Sequence, residues 1–166
     1  MQEIKLVVFD LAGTVIEDGG QVPAAFTSAL RNYGIEVTSD SLREMRGASK
    51  REVIQRFVER QPDGNKADVP ARIESIYNSF RNTLAGMYEK DGVREITGAT
   101  EVFAWLQQGG VRVALNTGFD RMITELLLNS TQWNRSLISA VVCGDEVAQG
   151  RPAPFLIFRA MSAPPR

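Results

Sequence analysis

Apolar residues along this chain fall into two patterns that alternate at both ends of the sequence. Ile4-Lys5-Leu6-Val7-Val8-Phe9 is a short β-branched, apolar run closed by Asp10. Such a run predicts a buried strand of a parallel sheet with both faces covered. Val111 to Leu115, stopped by Asn116-Thr117-Gly118, predicts a second strand, and Leu137 to Cys143, stopped by Gly144-Asp145, a third. A helical pattern in Met122, Ile123, Leu126 and Leu127 separates the last two. Ala99, Val102, Phe103 and Leu106 form another before the second strand, closed by Gly109-Gly110. Alternating strand and helix implies an open α/β sheet.

The stretch 18–91 breaks this alternation. Pro23 can open a helix carrying Phe26, Leu30 and Tyr33 that Gly34 ends, and Ser49 can cap another with Val53, Ile54, Phe57 and Val58 inside. After a Pro62-Asp63-Gly64-Asn65 turn, Ile73, Ile76, Tyr77, Phe80, Leu84 and Met87 mark a long helix. The expected organisation is a Rossmann-like α/β core, 1–17 and 92–166, with an all-helical cap inserted at 18–91. Gly19-Gly20 and Gly92 are the expected hinges.

Composition narrows the chemistry. The 166 residues include 19 Lys plus Arg against 20 Asp plus Glu, a net charge of −1 that speaks against nucleic acid or an anionic membrane as partner. No run approaches the roughly 20 apolar residues of a spanning helix, so the expected setting is soluble and cytoplasmic. Histidine is absent and Cys143 is the lone cysteine, which excludes histidine bases, imidazole metal sites and intramolecular disulfides. Carboxylates, lysine, arginine, hydroxyls and oxygen-bound metals remain.

Ligands of open α/β sheets bind at the carboxyl ends of the strands. Asp10-Leu11-Ala12-Gly13-Thr14 stands after the first strand, Asn116-Thr117-Gly118 after the second and Gly150-Arg151-Pro152 soon after the third. A carboxylate beside a glycine turn, a hydroxyl beside a flexible glycine, and an arginine suit a phosphoryl group. Taken singly, each has a plain reading as a loop cap, a helix cap or a surface arginine. Pro152 is a candidate first residue of the last helix.

In this order, with a helical insertion after the first motif, the segments resemble the haloacid dehalogenase superfamily. The resemblance is strongest to its phosphonatase (phosphonoacetaldehyde hydrolase) branch. Ala12 stands where most of that superfamily's phosphatases have a second Asp, Arg151 where most have Lys, and Gly47-Ala48-Ser49-Lys50 matches the Gly-x-x-Lys of the Schiff-base lysine. The resemblance implies a small phosphonate or phosphate substrate, Asp10 as nucleophile and Lys50 as imine-forming amine. It also implies Thr14, Gly47, Thr117, Gly118 and Arg151 around the substrate, and Mg²⁺ on Asp10, the Ala12 carbonyl and acids near the C-terminus. An imine is an electron sink for C–P cleavage, which needs no acid at position 12. Ordinary lysine is neutral in only about 1 molecule in 2,500 at pH 7; a helix N-terminus with Arg46 and Arg51 beside Lys50 would favour the neutral amine. The alternative is a solvated cap lysine in an ordinary phosphate-ester phosphatase.

Three departures accompany the resemblance. The branch's cap Cys aligns near Gly20 and its His near Val53, losses compatible with a phosphonatase-like hydrolase acting on some other phosphonate or phosphate. No acidic strand follows Arg151, so a C-terminally incomplete core, an inactive truncated fragment, or a homodimer joined through the edge at Val7 and Val8 are further expectations.

Overall fold

The computed structural model describes residues 3–43, 48–61 and 68–164. The chain divides into two compact units, Met1–Asp18 with Val93–Arg166, and Gly19–Gly92.

The first unit is built on a parallel sheet in the order β1-β2-β3, with β1 at Leu6–Asp10, β2 at Arg112–Asn116 and β3 at Ala140–Val142. Pairing is in register from Leu6 opposite Arg112 to Asp10 opposite Asn116, and continues to Val142 opposite Asn116. Helices α5 (Ala99–Gln108), α6 (Arg121–Ser130) and α7 (Phe155–Ser162) complete it. Side chains alternate across a strand, so Phe9 turns to α5, its ring edge-on to Phe103 at 5.4 Å, while Leu6 and Val8 join the core under α7. There Leu156 and Ala160 pack with Ala114, Ala140 and Val142. The result is helices on both faces of the sheet, the α/β layering that the alternation implies.

Helices lie on both faces of the first strand, as its apolar run implies, but its position at the sheet edge leaves it less buried than the run alone suggests. All five β1 residues are half-buried, whereas four of the five in β2 are fully buried. The central strand has a neighbour on each side; β1 pairs only with β2 among the described residues. Ile4 lies outside the strand and is 67% exposed. The third strand is shorter than its apolar run because the Asn134 side chain accepts from the Ser136 amide and starts a 3-10 turn, Arg135–Leu137, ahead of it. Val102 and Met122 face outward, and Ala99, Phe103 and Leu106 in α5, with Ile123, Thr124, Leu127 and Leu128 in α6, form the buried faces. The last helix starts at Phe155, with Pro152 in the preceding turn.

The second unit is helical: α1 (Gln21–Arg31), the short α2 (Ser39–Arg43), α3 (Lys50–Glu59) and the long α4 (Val69–Asp91). The apolar stripe of α4 is its spine. Phe80 meets Phe26 of α1 at 5.7 Å, and Phe26 meets Phe57 of α3 at 6.1 Å. The stripe ends in Tyr88 where Met87 was expected, since 88 continues the i+4 row from Leu84. Helix α1 opens at Gln21, two residues before Pro23, and ends before Tyr33. Gly34, at φ +73°, turns the chain so that the Ile35 amide returns to the Leu30 carbonyl at 3.0 Å, an end only glycine adopts without strain. Nothing in the apolar spacing announced α2, a single turn begun by reciprocal Thr38–Ser41 hydrogen bonds. The 62–65 turn cluster lies outside the described residues.

Phe103 is 1% exposed and bridges Phe9 to Trp133, 5.4 Å from each ring. Phe103→Ala should cost the first unit about 3–5 kcal/mol. Urea unfolding followed through the buried Trp133 indole will measure it.

Candidate active site

The in-register ladder delivers Asp10, Asn116 and Val142 to one end of the sheet, so the loops after the three strands leave side by side. After β1 the chain winds tightly on one carbonyl. The amides of Val15 and Ile16 both donate to Leu11 O, at 3.0 and 2.9 Å, and Gly13, at φ +82°, donates to Ile16 O at 2.7 Å. Leu11, wholly buried, anchors this turn, while Ala12 is half-buried and Thr14 exposed. The segments leaving and rejoining the first unit pair with each other through Glu17 N–H to Arg94 O and Ile96 N–H to Val15 O, each 2.9 Å.

Asp10 meets Arg151 at this end. Arg151 Nη2 donates to Asp10 Oδ1 at 2.6 Å, a charge-assisted hydrogen bond between half-buried groups separated by 141 residues. The buried Arg151 Nε has no acceptor among the described residues. An unpartnered buried donor is costly in a folded protein, and here it is part of the guanidinium already held against Asp10.

Thr117 and Gly118 occupy the loop after β2 and are buried. The Thr117 amide donates to Val142 O at 3.0 Å, and its hydroxyl oxygen accepts from the Phe119 amide at 3.1 Å, leaving the hydroxyl proton to point elsewhere. The loop does not cap the next helix. Asp120 does, accepting from Ile123 N–H at 3.0 Å. Behind this loop lies Gly144, where an added Cβ would stand 2.9 Å from the Gly118 carbonyl oxygen and 3.1 Å from its carbon.

The structure places Lys50 in the second unit, as the first residue of α3. It is 7% exposed, with Nζ donating to the Ala48 carbonyl at 3.2 Å. This is a buried lysine rather than the solvated one of the plainer reading. Ser49 caps the helix through the Glu52 amide at 3.5 Å. Arg51, expected to act on Lys50 by its charge, is instead paired with Glu74 of α4, Nε to Oε1 at 2.8 Å. Gly47 and Arg46 lie outside the described residues.

Sequence reading missed Arg121, took Gly144 only as a strand stop, and offered Asp145 and Glu146 only as conceivable metal oxygens. In the structure both acids are engaged by Arg121. A partnership across 25 residues leaves no trace in local spacing. No cluster of three or more Cys, Asp or Glu side chains able to hold a metal ion occurs among the described residues. None of the described helices is long and apolar enough to cross a membrane.

Comparison with known proteins gives the same kinship as the motifs. The sequence model of the haloacid dehalogenase-like hydrolases matches residues 7–164. A phosphonoacetaldehyde hydrolase of Paraburkholderia xenovorans is 28% identical over 97% of this chain and 63% of its own length. The same enzyme of Hahella chejuensis is 29% identical over 94% and 55%. The chain thus spans less than two thirds of these curated relatives. Among solved structures, a phosphonoacetaldehyde hydrolase-like protein of Oleispira antarctica superposes with a TM-score of 0.73 at 27% identity, over 95% of this chain and 59% of that one. A hydrolase of Pseudomonas syringae reaches a TM-score of 0.80 at 18% identity over 97% and 70%, a likeness of fold.

Cys143, fully buried at the end of β3, has its thiol pushed up from 9.0 to about 11 by burial, against the pull of a Thr124 hydrogen bond and the Arg121 charge. With the folded thiol holding its proton more tightly than the unfolded one, stability falls with pH once the unfolded thiol begins to ionise. The thiol's stabilisation is complete below pH 9 and is lost as pH climbs through 11. Two pKa units correspond to about 2–3 kcal/mol. Denaturant melts of wild type and Cys143→Ala between pH 8 and 11 should converge by that amount, with the wild type falling.

Proposed function

The chain belongs to the haloacid dehalogenase-like hydrolase family, and on that premise we propose that it hydrolyses a small phosphonate or phosphate metabolite through an aspartyl-phosphate on Asp10. The observation that carries this reading is the 2.6 Å contact of Asp10 with Arg151, whose Nε donor still lacks an acceptor. A dianionic phosphoryl group beside a bare carboxylate is opposed by roughly 4 kcal/mol per charge pair at 4 Å and an effective dielectric of 20. Arg151 offsets that repulsion. Phosphoryl oxygens would take the guanidinium donors and the free hydroxyl proton of Thr117, with the Gly118 and Thr14 segments flanking them.

One oxygen of the freed Asp10 carboxylate then attacks phosphorus as the bond to the leaving group breaks. Water cleaves the acyl phosphate, releasing phosphate and restoring the carboxylate. Magnesium commonly takes one or two carboxylates, with phosphate oxygens and water filling the rest of its shell. The Asp10 carboxylate and the Ala12 carbonyl suit the protein share of such a shell. A bound ion would supply further charge neutralisation at the phosphoryl group.

Ala12 has no proton to give a leaving alkoxide. That favours C–P cleavage, in which the Lys50 amine condenses with a substrate aldehyde, losing water. The resulting imine takes up the electron pair of the breaking C–P bond as an enamine. Protonation and hydrolysis of the enamine then return Lys50. The buried position of Lys50 at a helix N-terminus supports this role, as does the name shared by the curated relatives.

Two experiments test the reading. Incubation with phosphonoacetaldehyde followed by borohydride should add mass to the Lys50 peptide and to no other, and Lys50→Arg should abolish the adduct. An unmodified Lys50 on folded protein removes the imine. Asp10→Asn should lower phosphate release by on the order of 10³-fold or more. If Lys50→Ala retains p-nitrophenyl phosphate turnover while Asp10→Asn loses it, the chain is a phosphate-ester phosphatase.

A further inference from the structure

We infer that Arg121 is the positioning residue of the phosphoryl-binding loop, holding Thr117 and Gly118 in place through Asp145 and Glu146; this rests on the phosphoryl-site reading above. Arg121 is the first residue of α6, directly after the Thr117–Asp120 segment. Its backbone amide and two of its three guanidinium nitrogens tie that segment to β3 and the loop after it. Its backbone N–H donates to both carboxylate oxygens of Asp145, at 3.1 and 3.3 Å. Its Nε donates to Glu146 Oε1 at 3.0 Å and its Nη2 to the Val141 carbonyl at 2.9 Å, inside β3. Its Nη1 reaches Glu125 one turn along α6, at 3.2 Å.

Glu146 is fixed in turn, since its Oε2 accepts from the Cys143 amide at 3.1 Å. The loop after β3 therefore folds back on itself around one carboxylate, and that carboxylate grips the guanidinium. The same two loops are stitched closer to the ligand side by Gly144 N–H to Phe119 O at 2.7 Å and Thr117 N–H to Val142 O at 3.0 Å. Without the Arg121 guanidinium, the Thr117-Gly118 segment would keep these backbone bonds and the bond from the residue-121 amide to Asp145, but would lose its side-chain ties to Glu146 and to β3. A donor displaced by about 1 Å can lose on the order of 10² in binding or rate, so the brace matters to function beyond its contribution to stability. Both acids after the third strand are accounted for by this role.

The test combines amide exchange with phosphate binding in wild type, Arg121→Gln, Arg121→Lys, Thr117→Val and the Arg121→Gln/Thr117→Val pair. Hydrogen exchange at the Gly118 and Phe119 amides should rise at least tenfold in Arg121→Gln, while amides of α7 keep their wild-type rates. Arg121→Lys, which restores the charge without the planar fork, should recover part of the protection. Inorganic phosphate, followed by ³¹P NMR titration, should bind about tenfold or more weakly to Arg121→Gln. That loss should vanish in the Thr117→Val background, because the arginine acts through the threonine. Unchanged exchange at 118 and 119, exchange rising equally in α7, or an additive double variant would overturn the proposal. Absence of phosphate binding to wild type would sink the phosphoryl-site reading instead, with the exchange data still deciding whether Arg121 positions the loop. Should Arg121→Gln not fold, Glu146→Gln removes the same ion pair, keeps an oxygen for the Cys143 amide, and carries the same expectations.

Discussion

Parallel pairing of β1 with β2 holds Leu6 opposite Arg112 and, four residues on, Asp10 opposite Asn116. A strand has a side-chain period of two, so a slip of one residue would turn Phe9 away from Phe103 and swing the Asp10 carboxylate to the other face. The aromatic contact and the site geometry are thus one constraint. With β3 held to β2 in the same register, three loops emerge within reach of one another, and Arg151 closes on Asp10 across them. Everything assigned to the phosphoryl site inherits its position from this ladder.

Ionic groups in the first unit divide into two kinds by what they face. Around Arg121 the charges are closed on one another: Glu146, Asp145 and Glu125 each accept from it, and Arg135 donates to Glu125 at 3.0 Å. Such a network gives geometry more than stability, because partly exposed pairs are individually weak. Arg151 is the other kind. One of its nitrogens is matched to Asp10, and another is buried with no acceptor among the described residues.

Most of the architecture could be read from residue order, because strands buried in an α/β sheet and long apolar stripes leave strong periodic signals. The strand-end motifs were legible for the same reason: position after a strand is itself spatial information. Boundaries failed where a side chain intervened locally, as with Asn134 ahead of β3, or where a turn preceded the helix, as at Pro152, which lies inside the turn closed by Ala153 N–H to Gly150 O. The faces of α5 and α6 were misjudged at Val102 and Met122 because apolar residues at i+1 blur a helical stripe. What spacing could not reveal is partnership at a distance, seen in Arg151 with Asp10, Arg121 with Glu146, and Arg51 with Glu74.

Gly144 has a bearing on how this sequence can vary. Its α-carbon lies so near the Gly118 carbonyl that any side chain there must push the loop bearing Thr117 outward. A side chain at 144 is admitted only by a shifted 118 carbonyl, although 26 residues part the two in the chain. The constraint falls on the path of the backbone and not on which residue stands at 118. A lineage that has replaced Gly144 will therefore have rebuilt the loop after its second strand.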